Sequence, residues 1–152
     1  MTTEILFHGL QDIATGRIAH EAIIDMAPYI KAYTPVIQVN DKYVPILGHD
    51  YVYIAGQISG LPYEDAKDKF LQAEHALNMA GLKTISPVRI VPESASWEIA
   101  MCICLTAMVQ HCNKIFLLDN WSESKGATME KLIAEDLNFT IIEMSTLLKQ
   151  AI

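Results

Sequence analysis

The chain has 152 residues, of which 51% are hydrophobic and 19% charged. That composition excludes intrinsic disorder and lets a domain of ordinary size fill a core without disulfides or a structural metal. Eleven basic residues against eighteen acidic ones leave a formal charge of -7, the wrong balance for a general nucleic-acid coat or a binder of anionic membranes. A small anionic ligand stays compatible with that charge, because backbone amides at a helix N-terminus can hold a phosphate on an acidic protein.

Residues 1–47 read differently from the rest. Glu4–Thr15 has apolar residues at Leu6, Leu10, Ile13 and Ala14, a helical spacing that Gly16 can stop. A second helical pattern covers Arg17–Met26 and must end near Pro28. Val36–Val39 and Tyr43-Val44 then flank Asn40-Asp41-Lys42 as a small hairpin. No chemical constellation falls in this stretch, so 1–47 is expected to be an appended packing or oligomerisation element.

From Asp50 onward, strands and helices alternate. Tyr51–Ala55 is a β-rich run ending at Gly56. Pro62 opens a helix with Glu64 and Asp65 in its first turn, a stripe of Tyr63, Ala66, Phe70, Ala73, Leu77 and Ala80, and Gly81 just past its end. Lys83–Ser86 is a second strand broken by Pro87, followed by a loop with Pro92. Ser94 or Ser96 can cap a helix to about Gln110, which is apolar nearly all round and so expected to be largely buried. Lys114–Leu118 is a third strand; a Ser/Gly loop leads to a helix around Ala127–Leu137, then a strand at Phe139–Ile142 and a last helix at Ser145–Ala151. This order predicts an α/β domain over 48–152, with a flavodoxin-like or Rossmann-like open, mainly parallel sheet and helices on both faces.

The start Met1-Thr2-Thr3-Glu4 lacks the basic residues of an export signal, and Ile99–Val109 is too short to span a bilayer. Cys102, Cys104 and Cys112 are odd in number and close together, which suits reduced thiols and a cytoplasmic protein. Cys102 and Cys104 point about 200° apart on a helix and cannot share an ion. Buried cysteines acting as small hydrophobes are expected, with no metal and no cofactor.

Ligands of an open parallel sheet bind beyond the carboxyl ends of its strands. Two loops there carry suggestive residues. Gly56-Gln57-Ile58-Ser59-Gly60 lets backbone approach a ligand ahead of a helix, although a tight turn explains its glycines equally well. Asp119-Asn120-Trp121-Ser122-Glu123-Ser124-Lys125-Gly126 precedes Glu130 near a helix start. A helix dipole favours the ionised carboxylate there, which can attack a sugar carbon; a Ser cap followed by a favourable helix-start charge is the plainer alternative. Trp121 can serve as a stacking platform for a base or as an anchor for the Glu130 helix.

Together the two loops resemble a known family. Tyr53-Ile54-Ala55-Gly56-Gln57-Ile58-Ser59-Gly60-Leu61-Pro62 is similar to the opening strand and loop of the nucleoside 2-deoxyribosyltransferase-like superfamily. Trp121, Ser124, Gly126, Ala127 and Glu130 resemble the W-x-x-S-x-G-A-x-x-E signature of a small bacterial and phage branch. The resemblance runs from about Tyr51 to Ile142, roughly two-thirds of the chain. It implies chemistry at the N-glycosidic bond of a nucleoside or nucleoside 5′-monophosphate, with Glu130 as the nucleophile of a double displacement and Tyr53 orienting it or the sugar. It further implies that Ser124, with Ser59, donates to a 5′-phosphate, that Gly56, Gln57, Gly60, Trp121 and Gly126 help form the substrate site, and that the chain is a homo-oligomer. Hydrolysis is the leading expectation and deoxyribosyl transfer its close variant. A non-catalytic nucleotide-binding protein or a structural homo-oligomer on the same fold are the alternatives. Neither polymeric nucleic acid nor a membrane is expected as a partner. One departure stands out: relatives place an Asp on the preceding helix to handle the leaving base's proton, and no Asp occurs from Phe70 to Leu118. Asp119 or Glu98 is the substitute suggested by position.

Overall fold

The structure, a computed structural model, describes residues 36–39 and 42–146. The chain divides into two units, Met1–Leu47 and Gly48–Ile152. In the first, β1 (Val36–Val39) and β2 (Lys42–Pro45) form an antiparallel pair with Val39 opposite Lys42, so Lys42 belongs to the strand and not to the turn. The helices expected over Glu4–Thr15 and Arg17–Met26 lie outside the described residues, as does most of the one over Ser145–Ala151.

The second unit is an α/β domain. Its elements are β3 (Tyr51–Ala55), α1 (Tyr63–Met79), β4 (Thr84–Ile85), α2 (Pro87–Ile90), α3 (Trp97–His111), β5 (Cys112–Leu117), a 3-10 turn (Trp121–Glu123), α4 (Lys125–Asp136) and β6 (Thr140–Glu143). The four strands pair in parallel in the order β4-β3-β5-β6, the flavodoxin-like arrangement expected from the alternation. Every residue of β3 is buried, as a strand covered on both faces requires.

Alternation along the strands sorts side chains between the faces. Val52, Ile54, Phe116 and Leu118 pack with Phe70, Ala73 and Leu77 of α1. Tyr53 points the other way, toward α4, where it meets Glu130. The stripe of α1 is buried at Ala66, Phe70, Ala73 and Leu77, while Tyr63 is only half covered and Ala80 exposed. Gly81 follows the helix, its N–H bonded back to the Asn78 carbonyl at 2.9 Å.

Two expectations need correction. The stretch after Pro87 is not all loop: Pro87–Ile90 forms the short helix α2 with Pro at its start, where the missing N–H is no loss. Arg89 on α2 holds Glu74 of α1 through two hydrogen bonds of 3.1 and 2.9 Å, which fixes the short helix against the longer one. Helix α3 is capped by Ser96, whose Oγ accepts from the Ile99 N–H at 3.2 Å. It is not largely buried. Met101, Cys104, Ala107, Met108 and His111 face inward, but Cys102 is exposed, Ile99 is 50% exposed and Val109 40%. A helix laid on a sheet covers one side only, whatever its composition. Among the described residues no helix is long and apolar enough to cross a membrane.

Candidate functional site

The strand order creates a crevice. The chain leaves β3 toward β4 on one side and β5 toward β6 on the other, so the loops following β3 and β5 diverge at their carboxyl ends. A cavity of about 220 Å³ opens between those loops. Tyr53, Gly56 and Ser59 line it from the β3 side, and Ser124, Gly126 and Glu130 from the α4 side.

Gly56 has a steric reason to be glycine. A Cβ there would lie 2.5 Å from Cδ1 and 2.9 Å from Cγ of Leu118, the residue that follows β5. The two strands are thus drawn together where their loops separate. The Leu118 N–H, bonded to the Ala55 carbonyl at 2.9 Å, extends the ladder to that point.

Glu130 lies on the floor. The inner face of α4 is Gly126, Ala127, Glu130 and Ala134, three small residues and one carboxylate on a helix pressed against the sheet. Glu130 is only 4% exposed and Tyr53 wholly buried, and the Tyr53 hydroxyl donates to Oε2 of Glu130. Burial pushes the Glu130 carboxyl up from its ordinary 4.5 to about 8, against the Tyr53 hydrogen bond, which lowers it. The carboxylate expected to be ionised by the helix dipole is therefore mostly protonated at neutral pH. Glu130 is a full turn beyond the first amides of α4, where the dipole is weak and desolvation dominates. Burial and the nearby Cys104 and Glu130 hold the Tyr53 phenol well above its usual range. Cys104 borders the pair and is pushed up as well, chiefly by burial and then by Glu130, so its thiol stays protonated.

Ser124 caps α4, its Oγ accepting from the Ala127 N–H at 3.1 Å. The cap uses the hydroxyl as an acceptor and leaves its hydrogen to donate into the cavity. Among the described residues no Lys, Arg or His lines the cavity. Lys125 sits beside the wall, its Nζ 4.8 Å from the centre of the Trp97 ring.

Five residues singled out in the sequence stand apart from this lining. Asp119 forms an ion pair with Lys69. Trp121 is half-buried with Lys131 of α4 over its ring at 5.2 Å, the arrangement of a helix contact. The Gln57 N–H donates to Asn120 Oδ1 at 3.2 Å and ties the two loops together. Gly60 turns the first loop with a φ of +88. Glu98 is exposed in the first turn of α3 and does not line the cavity either. Conversely, Tyr63, Glu93, Trp97, Met101 and Cys104 line it although no motif marked them. Among the described residues no three His, Cys, Asp or Glu side chains are grouped to hold a metal ion.

A family model for DUF4406, a domain of unknown function, matches residues 50–143. The chain belongs to this family. The DUF4406 match spans the whole sheet and every residue that lines the cavity, from Tyr53 to Glu130. No curated protein and no solved structure matches the chain. In this DUF4406 domain the chemistry on offer is a carboxyl buried beside a tyrosine, two serine hydroxyls, the N-terminal amides of α4 and an apolar wall with two aromatic rings.

Proposed function

We propose that this DUF4406 domain hydrolyses the N-glycosidic bond of a nucleoside 5′-monophosphate through a covalent intermediate on Glu130, with deoxyribosyl transfer as the close variant. The observation that carries the reading is the Glu130 carboxyl, aligned by Tyr53 on the floor of a cavity at the switch point of the sheet. The resemblance of the two flanking loops to nucleoside 2-deoxyribosyltransferase-like proteins supports the same reaction. In this scheme the ionised Glu130 attacks the anomeric carbon through one oxygen while Tyr53 holds the other. The oxocarbenium-like transition state carries positive charge, which a carboxylate in a desolvated site stabilises strongly. Water then releases the sugar and restores Glu130.

The 5′-phosphate is assigned to the hydroxyls of Ser59 and Ser124 and the first amides of α4. These neutral donors suit an anion in a cavity whose walls also hold carboxyls. The base is assigned to the apolar wall, where the rings of Tyr63 and Trp97 can stack on it. The test is a panel of nucleosides and their 5′-monophosphates followed by chromatography of free base. Base release from the monophosphates that Glu130→Gln abolishes is the expected result.

One observation favours a second reading, a nucleotide-binding protein without turnover. Burial pushes the Glu130 carboxyl up to about 8, and its protonated form does not attack. Saturable binding of monophosphates with no base released between pH 6 and 9 would establish that alternative.

A further inference from the structure

The sequence left the reaction without a group to carry the leaving base's proton, and neither positional substitute lines the cavity. Five lining side chains can hold a proton: Tyr53, Tyr63, Glu93, Cys104 and Glu130. Tyr53 is committed to Glu130. Cys104 is sealed beside the same carboxylate, where losing its proton would leave two buried anions together. The Tyr63 phenol is pushed up by burial and by the carboxylates of Glu93 and Glu64. Glu93 remains. It follows Pro92 in the connection from α2 to α3, and the Ala95 N–H bonds back to the Pro92 carbonyl at 3.0 Å, so Glu93 occupies the second position of a closed turn. Val91 just before the turn and Pro92 and Ala95 within it line the cavity together with Glu93, whose exposure places it at the rim. It is solvent-exposed, and no described cation forms an ion pair with it.

We propose that Glu93 is the acid–base residue of this site, protonating the departing base and then accepting a proton from the attacking water. The assignment rests on the hydrolytic reading above. In the first step a Glu130 oxygen bonds to the anomeric carbon, the glycosidic C–N bond breaks, its electron pair passes to the base nitrogen, and the Glu93 carboxyl gives its proton to the base. In the second step water attacks the same carbon while Glu93 takes one of its protons, and the bond to Glu130 breaks with return of the electron pair. One water is consumed, and both glutamates regain their starting states. Glu93 lies in the exposed part of the cavity lining, where it can take up a proton from solvent and return it between the two steps, whereas Glu130 is buried on the floor.

The test compares first-turnover base release from guanosine 5′-monophosphate and N7-methylguanosine 5′-monophosphate by wild type and Glu93→Gln. The methylated base departs as a neutral molecule without added proton, so it needs no acid. Glu93→Gln is expected to slow the unmethylated substrate by about a hundredfold or more and the methylated one by less than about tenfold. Equal slowing of both, or of neither, overturns the assignment while leaving the hydrolytic reading in place. If the wild type releases base from neither of these nor from any other monophosphate of the panel, the hydrolytic reading falls and the assignment falls with it. Glu93 is exposed on a turn, so its amide variant should fold as the wild type does.

Discussion

The hydroxyl of Tyr53, in the middle of β3, donates to Oε2 of Glu130 on the inner face of α4, across 77 positions of sequence and inside a site nearly closed to water. That pair governs the acid–base behaviour of the cavity floor. The hydrogen bond favours the ionised carboxylate, and burial opposes it more strongly. The result is a carboxyl that changes charge near pH 8.

The first prediction concerns Glu130→Gln. The amide can still accept from Tyr53, so the pair's geometry survives, while base release should fall by at least about a thousandfold because the nucleophile is gone. Stability should move the other way. The folded-state pKa of Glu130 is raised, so its contribution is fully present below the ordinary 4.5 and is lost as pH rises through about 8. A neutral amide does not have this dependence. Thermal melts should show the variant close to wild type at pH 5 and increasingly more stable toward pH 8.5, by an amount on the order of a few kcal/mol. A constant difference between the two proteins across that range would contradict the buried, raised carboxyl.

The second concerns the rate profile. If ionised Glu130 attacks, kcat/KM for N7-methylguanosine 5′-monophosphate, whose base needs no acid, should climb about tenfold per pH unit below about 8 and then flatten. Tyr53→Phe removes the group that lowers this pKa, so the rising limb should move to higher pH and the rate at pH 7 should drop by about tenfold or more. The same variant leaves a buried carboxyl without its donor and should cost about 1–3 kcal/mol in denaturant unfolding. A profile flat from pH 6 to 9 would show that ionisation of Glu130 does not limit the reaction.

Ser124 has two roles that one substitution can separate. Ser124→Ala removes the cap of α4 and should cost about 1 kcal/mol of stability. It also removes a donor assigned to the 5′-phosphate. Calorimetry with matched nucleoside and 5′-monophosphate pairs should show at least about a tenfold loss for the phosphorylated member and little change for the other. Equal losses for both would reduce Ser124 to a helix cap.

Gly56 gives a purely steric prediction. Gly56→Ala places a methyl 2.5 Å from the Leu118 side chain and should destabilise by about 1–3 kcal/mol. Leu118→Ala removes the two nearest atoms and leaves only its Cβ, at 3.0 Å, so the double variant should be more stable than the sum of the two single losses implies. Strict additivity in chemical denaturation would show that the close approach of β3 and β5 is not what requires glycine there.

Much of the fold was legible because it follows from local pattern. The buried run Tyr51–Ala55, the spacing of Phe70, Ala73 and Leu77, and the stops at Pro62 and Gly81 depend on neighbours in sequence, and those fix periodicity and chain direction. Glu130 was legible too, and even its burial left a trace: it stands four residues after Gly126 and four before Ala134, on a stripe of small residues that a sheet-packed helix turns inward. Other properties were decided only by the packing of distant segments. Periodicity shows that α3 is apolar on all sides, but only the sheet selects which side is covered, and Ile99 and Val109 stay in the open. The protonation of Glu130 depends on how completely β3, α3 and α4 exclude water, a sum over three segments that no local charge pattern encodes. Glu93 belongs to no motif, and it joins the site only because a turn between two helices is carried over the ends of strands far from it in sequence. Sequence spacing specifies what each element is made of, whereas burial, and with it proton affinity and membership of the cavity, is a property of how the elements close on one another.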